Sequence, residues 1–186
     1  MNIANQITLV RLILIPFIIY GYLYEDGGLR WITALVVLFA GLSDWLDGYF
    51  ARKKQQETYL GQILDPLADK VLVISILMMI AFSQQSVFIA SVLVLFIIRD
   101  LTISSVRELH AGLGNIKALS PSLLGKLKTV MQMCSLILLV LVTTDYPLLM
   151  HLGFVLLTVS LLMSYVSLFY YLKKSSLDLT FFGKKE

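Results

Sequence analysis

The chain has 186 residues, of which 58% are hydrophobic and 15% charged, against about 25% charged in ordinary soluble domains. With a mean hydropathy of +0.84, that balance excludes a typical water-soluble fold and predicts one membrane domain over residues 1–186. The net charge of +3 is small and scattered, which suits membrane orientation and not a nucleic-acid surface, and a single cysteine, Cys134, excludes an intrachain disulfide.

Six apolar segments, each close to the ~20 residues that a helix needs to cross hydrocarbon, are predicted at 7–24, 31–50, 61–82, 87–108, 122–143 and 148–172. The expected fold class is all-α, a polytopic membrane protein with six transmembrane helices. The first segment carries Arg11 and Pro16 and has no small-x-small cleavage site after it, so it is expected to stay in the mature chain. Near its start, Asn5 and Thr8 suit either a helix cap or a ligand contact, and Arg11 has a stem long enough to snorkel to the interface. Asp26-Gly27-Gly28, Ser83-Gln84-Gln85-Ser86, Ser120-Pro121-Ser122 and Asp145-Tyr146-Pro147 punctuate later boundaries. Cys134 falls inside the fifth segment and is expected to pack between helices, while His110 and His151 lack a second metal-type ligand at helical spacing and are expected at the interface.

Basic residues gather on one side of these segments. Arg52, Lys53 and Lys54 follow the second, Arg107, Lys117, Lys126 and Lys128 lie around the link from fourth to fifth, and Lys173, Lys174, Lys184 and Lys185 end the chain. The other side has Arg30 alone. Both termini are therefore predicted to be cytoplasmic, in a multi-pass protein of the cell membrane.

The polar residues of that side form a pattern. At the end of the second segment Asp44, Asp47, Gly48 and Ala51 fall at i, i+3, i+4 and i+7, and at the start of the third Gly61, Asp65 and Asp69 fall at i, i+4 and i+8. Each set shares one helix face. Joined by a short basic loop, the two segments are expected to be antiparallel neighbours whose four carboxylates converge at the cytoplasmic mouth of a hairpin. An Asp at the centre of a membrane helix costs about 2.5–3.5 kcal/mol, and less near the interface, so four of them require compensation. A pair of divalent cations would supply it, and oxygen-only ligation suits hard ions such as Mg²⁺ or Mn²⁺. Two such ions can hold a diphosphate and stabilise both entering and leaving oxygens of an in-line displacement. Two other accounts compete: interfacial carboxylates paired with Arg52, Lys53, Lys54 and Lys70, and a carboxylate-lined cation transporter.

The run Asp44-x2-Asp47-Gly48-x2-Ala51-Arg52-x8-Gly61-x3-Asp65-x3-Asp69 resembles the CDP-alcohol phosphotransferase signature at every defined position. The resemblance implies a six-helix membrane fold, usually a homodimer, with two divalent metal ions held by Asp44, Asp47, Asp65 and Asp69, the last also serving as general base. It further implies that Gly48, Arg52 and Thr58 contact the CDP part of the donor, CDP-diacylglycerol, with Arg52 near the diphosphate, while the small residues Gly48, Ala51 and Gly61 leave room for a ligand to approach the helix backbone.

The opening Asn5-Gln6-Ile7-Thr8-Leu9-Val10-Arg11 is similar to the bacterial branch of that family whose acceptor is glycerol 3-phosphate, where the positions of Asn5 and Thr8 lie near the donor. The stretches Arg99 to Arg107 and Gly125 to Gln132 are similar to the same branch, although Asp100 stands where the branch usually has Glu. Arg99, Arg107, Lys126 and Lys128 are accordingly expected to bind the acceptor phosphate, each having also an ordinary explanation as a positive-inside determinant. A cardiolipin synthase of the same family, taking phosphatidylglycerol as acceptor, is the nearest enzymatic alternative and should need less phosphate-binding charge near Arg107 and Lys126.

Overall fold

Among the residues described in this computed structural model, long apolar runs with few helix breakers form six α-helices. The structure describes residues 3–24, 27–54, 59–112, 123–142 and 146–182, with side chains at 8–24, 30–43, 64, 67–106, 108–109, 127–142 and 146–173. The helices are α1 (Ile3–Leu23), α2 (Gly27–Lys54), α3 (Tyr59–Ser83), α4 (Val87–Gly112), α5 (Leu123–Leu141) and α6 (Pro147–Phe182). Among the described residues there is no strand. Each predicted segment corresponds to one helix, and the main difference is α6, whose 36 residues make a rod of about 54 Å at 1.5 Å per residue. That exceeds the ~30 Å of a hydrocarbon core, because no Gly or Pro interrupts the chain between Gly153 and Gly183.

Two stretches are long and apolar enough to cross a membrane, Val87–Val106 and Pro147–Lys173, and Thr8–Leu23, Arg30–Ser43 and Leu127–Leu141 are shorter apolar helices. Large apolar side chains face outward all around the bundle, including Phe17, Phe39, Met78, Phe82, Leu148 and Phe169. So much exposed hydrocarbon is unusual for a soluble monomer and suits a protein whose outer solvent is lipid. Cys134 belongs to this outer surface. It does not pack between helices as expected, because the adjacent Ser135 and Leu136 take the buried positions on α5.

The contacts give the helix directions. Arg11 meets Ser43 and Gly21 meets Thr33, so α1 and α2 run antiparallel. Lys128 meets Ser164 and Ser135 meets Gly153, so α5 and α6 do the same. Phe88 stacks edge-on against Phe154 at 5.9 Å while Arg99 reaches Ser164, which makes α4 and α6 parallel. This alternation brings the C-terminal half of α2, the N-terminal half of α3, the C-terminal half of α4 and the start of α5 to one end of the bundle.

The inner face of α3 is the middle of the core. Ala68, Leu72, Ile76 and Ile80 recur at helical spacing and are fully buried, against Ile18 and Tyr22 of α1 and Ile89 and Phe96 of α4. Close approach elsewhere depends on glycine. A Cβ on Gly21 would stand 2.5 Å from Thr33 Oγ1, and one on Gly153 would stand 2.9 Å from Leu139 Cδ2. At the second position the near contact lets Ser135 Oγ donate to the Gly153 carbonyl at 2.8 Å, joining α5 and α6.

The turn from α3 to α4 is closed by Ser86 N donating to Ala81 O at 3.0 Å, which requires a left-handed residue before it. That residue is Gln85, at φ 47°. Ser86 then caps α4 by accepting from Ile89 N at 3.4 Å.

Gln85→Gly should therefore stabilise the protein by roughly 1 kcal/mol, since glycine carries no Cβ penalty in this conformation; thermal unfolding in detergent would show a raised midpoint. Gly21→Ala should cost about 1–3 kcal/mol through overpacking against the stiff, buried Thr33, and the same scan on Gly21→Ala/Thr33→Ala should recover most of that loss.

Candidate active site

Because α2 is helical through Lys54 and α3 from Tyr59, the backbone carries Asp44 and Asp47 on one face of α2 and Asp65 and Asp69 on one face of α3. The side chains of Asp44, Asp47, Gly48, Ala51, Arg52, Gly61 and Asp65 lie outside the described residues, as do those of Asn5, Arg107 and Lys126; Thr58 lies outside them altogether. Among the described residues no three acidic, His or Cys side chains gather into a metal site. Asp69 is the one predicted metal ligand whose side chain is described.

Asp69 is held by a residue that the sequence patterns did not assign to the site. Arg11 Nη1 donates to Asp69 Oδ1 at 2.6 Å. The guanidinium also turns its other two nitrogens on Ser43, with Nε donating to Oγ at 3.3 Å and Nη2 at 3.1 Å. Ser43 can accept both because its own hydroxyl proton is directed to the Ala40 carbonyl at 2.8 Å. Arg11 is 2% exposed, so it does not snorkel. A buried guanidinium is tolerated only with charge-assisted hydrogen bonds around it, and the α2 and α3 partners supply them.

The mouth of the expected α2–α3 hairpin falls outside the residues whose side chains are described. Among the described residues α1 packs against both α2 and α3, which make little direct contact with each other. The aspartate-bearing helices are joined through α1, with Arg11 as the bridge. Thr8 lies one turn earlier on the same face of α1, is fully buried, and stands inside a helix that begins at Ile3, which removes the capping role. Val10, Leu14, Phe39, Ala40 and Leu42 line a shallow groove of about 310 Å³ between α1 and α2, with Arg11 and Ser43 at its polar edge.

A second polar layer lies toward the same end. Lys70 Nζ donates to Ser104 Oγ at 2.6 Å, tying α3 to α4. Arg99 is buried, donates from Nη1 to Asp100 Oδ1 at 2.6 Å and from Nε to the Ser164 carbonyl at 3.4 Å. Lys128 Nζ donates to Ser164 Oγ at 3.2 Å. Two of the four cations expected to bind an acceptor phosphate thus converge on one buried serine of α6. Arg99 also differs from expectation in already having a carboxylate partner, Asp100 of its own helix, so its burial does not by itself demand an external anion. Ser164 was not legible beforehand, since a serine in a long apolar segment is ordinarily satisfied by its own helix backbone. His151, as expected, is exposed, with Nδ1 at 2.6 Å from the Pro147 carbonyl.

The donor set fits a hard divalent cation. All four residues of the aspartate pattern offer carboxylate oxygen only, and the described one, Asp69, has a side chain 39% exposed, buried enough to be held in place yet open enough to reach a ligand. The Arg11 bond is made at Oδ1 and orients the carboxylate.

Residues 1–169 match the model of the family described as CDP-alcohol phosphatidyltransferase. Among curated proteins, the chain is 41% identical over 135 residues, 73% of each chain, to the CDP-diacylglycerol–glycerol-3-phosphate 3-phosphatidyltransferase of Haemophilus influenzae. It is 36% identical over 179 residues to the protein of the same name from Yersinia pestis, covering 96% of this chain and 97% of that one. With a family match over most of its length and relatives aligned nearly end to end, the chain belongs to the CDP-alcohol phosphatidyltransferase family, whose members are transferases that use divalent metal ions.

Proposed function

We propose that this chain transfers the phosphatidyl group of CDP-diacylglycerol to glycerol 3-phosphate, giving phosphatidylglycerol phosphate and CMP in phospholipid biosynthesis. The observation that carries the substrate pair is the near full-length similarity to relatives bearing that activity in their names. The polar end of the bundle, with Asp69 gripped by a buried arginine, supports the location of the chemistry. The protein is one membrane domain with six transmembrane helices, a homodimer in the lipid bilayer, both termini and the active site on the cytoplasmic side of the cell membrane.

In this account Asp44, Asp47, Asp65 and Asp69 would hold two divalent ions, Mg²⁺ or Mn²⁺. Bound there, the ions would supply positive charge against the diphosphate of the donor. Asn5, Thr8, Gly48, Ala51, Arg52, Thr58 and Gly61 surround the CDP part, with Arg52 toward the diphosphate. The α1–α2 groove, apolar except at its Arg11 and Ser43 edge, is suited to hydrocarbon of the donor. Asp69 accepts the proton of the acceptor hydroxyl as that oxygen bonds to the phosphorus carrying the diacylglycerol; the bond from this phosphorus to the bridging oxygen breaks, and CMP departs with that oxygen. Arg99, Arg107, Lys126 and Lys128 hold the phosphate of glycerol 3-phosphate and so aim its hydroxyl.

The deciding experiment is release of CMP by the purified protein with CDP-diacylglycerol and Mg²⁺, offering glycerol 3-phosphate, phosphatidylglycerol or inositol phosphate in turn. Release with glycerol 3-phosphate alone is expected; release with phosphatidylglycerol instead would make the chain a cardiolipin synthase, and ion flux across vesicles without any CMP would indicate a transporter. Within the same assay the charged groups should separate. Asp69→Asn should reduce kcat by about 10²-fold or more with little change in KM for glycerol 3-phosphate, while Arg107→Ala and Lys126→Ala should raise that KM about tenfold and leave the KM for the donor near its original value.

A further inference from the structure

We propose that Arg11 is a positioning residue that sets the orientation of the Asp69 carboxylate and the spacing between the aspartate-bearing ends of α2 and α3. The inference rests on the metal-dependent reaction proposed above and deepens it. It begins with the position of Arg11, near the middle of an apolar helix, where a guanidinium is costly to insert. Such a residue is retained only where something else holds it. Here each nitrogen of the fork has an assigned contact: Nη1 on Asp69 Oδ1 at 2.6 Å, Nη2 and Nε on Ser43 Oγ at 3.1 and 3.3 Å.

Ser43 directly precedes Asp44 in α2, and Asp69 ends the acidic pattern of α3. The guanidinium therefore fastens to α2 one residue from its first aspartate and to α3 at its last. A planar fork fixes both distance and angle between the groups it binds. Among the described residues α1 contacts both helices. Groups that orient metal ligands without binding the metal typically change metal affinity or activity 10–100-fold when altered, and an arginine bonded to a ligating carboxylate is such a group.

The test uses variants that conserve charge, so that a change reports geometry and not lost Coulomb attraction. Arg11→Lys keeps the cation but cannot bond Ser43 and Asp69 in one plane. Ser43→Ala removes the α2 anchor, and Ser43→Thr keeps a hydroxyl there. Full-length protein in detergent is titrated with Mn²⁺ followed by electron paramagnetic resonance, and kcat, KM and thermal midpoint are measured in parallel. Arg11→Lys is expected to weaken Mn²⁺ binding and lower kcat about 10-fold or more, Ser43→Ala to move both in the same direction by less, and Ser43→Thr to restore them. Wild-type Mn²⁺ affinity and kcat per folded molecule in Arg11→Lys and Ser43→Ala, whatever the thermal midpoint, would overturn the proposal, because a merely structural arginine affects stability alone. If Arg11→Lys does not fold, the Ser43→Ala and Ser43→Thr pair decides. Wild-type protein that binds Mn²⁺ but releases no CMP would remove the proposed reaction, and the Mn²⁺ comparison would still settle the role of Arg11.

Discussion

A positive charge buried in an apolar helix governs how the first three helices come together. The Arg11 guanidinium is buried away from water, so the chain must bring acceptors to it. Those acceptors come from α2 and α3, which makes α1 the element through which the two acidic helices are joined. The apolar contacts of Ile18 and Tyr22 with α3 give the interface its area, but dispersion and close packing tolerate small slides along a helix. A guanidinium bonded to two neighbours does not, and it sets the register at the end where the aspartates lie.

The rest of the bundle follows the same logic with weaker links. Lys70 with Ser104, Lys128 with Ser164 and Arg99 with Asp100 and Ser164 place polar contacts at one end, while toward the opposite end the joints are made by small residues and a capped turn: Gly21 against Thr33, Gly153 beside Leu139, Gln85 and Ser86 between α3 and α4. In hydrocarbon the hydrophobic effect does not distinguish helix from lipid, so close packing and hydrogen bonds carry association. The division gathers the buried side-chain charges Arg11 and Arg99 toward one end of the bundle.

The second polar layer shows how burial changes the meaning of a cation. Arg99 and Lys128 converge on Ser164, which links the two helices that flank the polar end to α6. Asp100 beside Arg99 takes up part of its charge, so within this layer Arg99 is held in place first, and any phosphate would meet it already oriented. Orientation of that kind lowers the cost of binding, because the side chain has no rotamer freedom left to lose.

Residue order alone determined the six helices, their limits to within a few residues in most cases, and the four aspartates at helical spacing, because hydrophobic length and periodicity are properties of the chain before it folds. It also carried the family signature from Asp44 to Asp69. It did not reveal that Arg11 is a bridge, that Arg99 and Lys128 share Ser164, or that Cys134 faces outward. Those are facts about which helix faces which, and a single amphiphilic segment reads alike whether its one polar residue snorkels to the interface or turns inward. Only packing decided between the two, since α1 lies against both α2 and α3 and leaves the guanidinium no route to water.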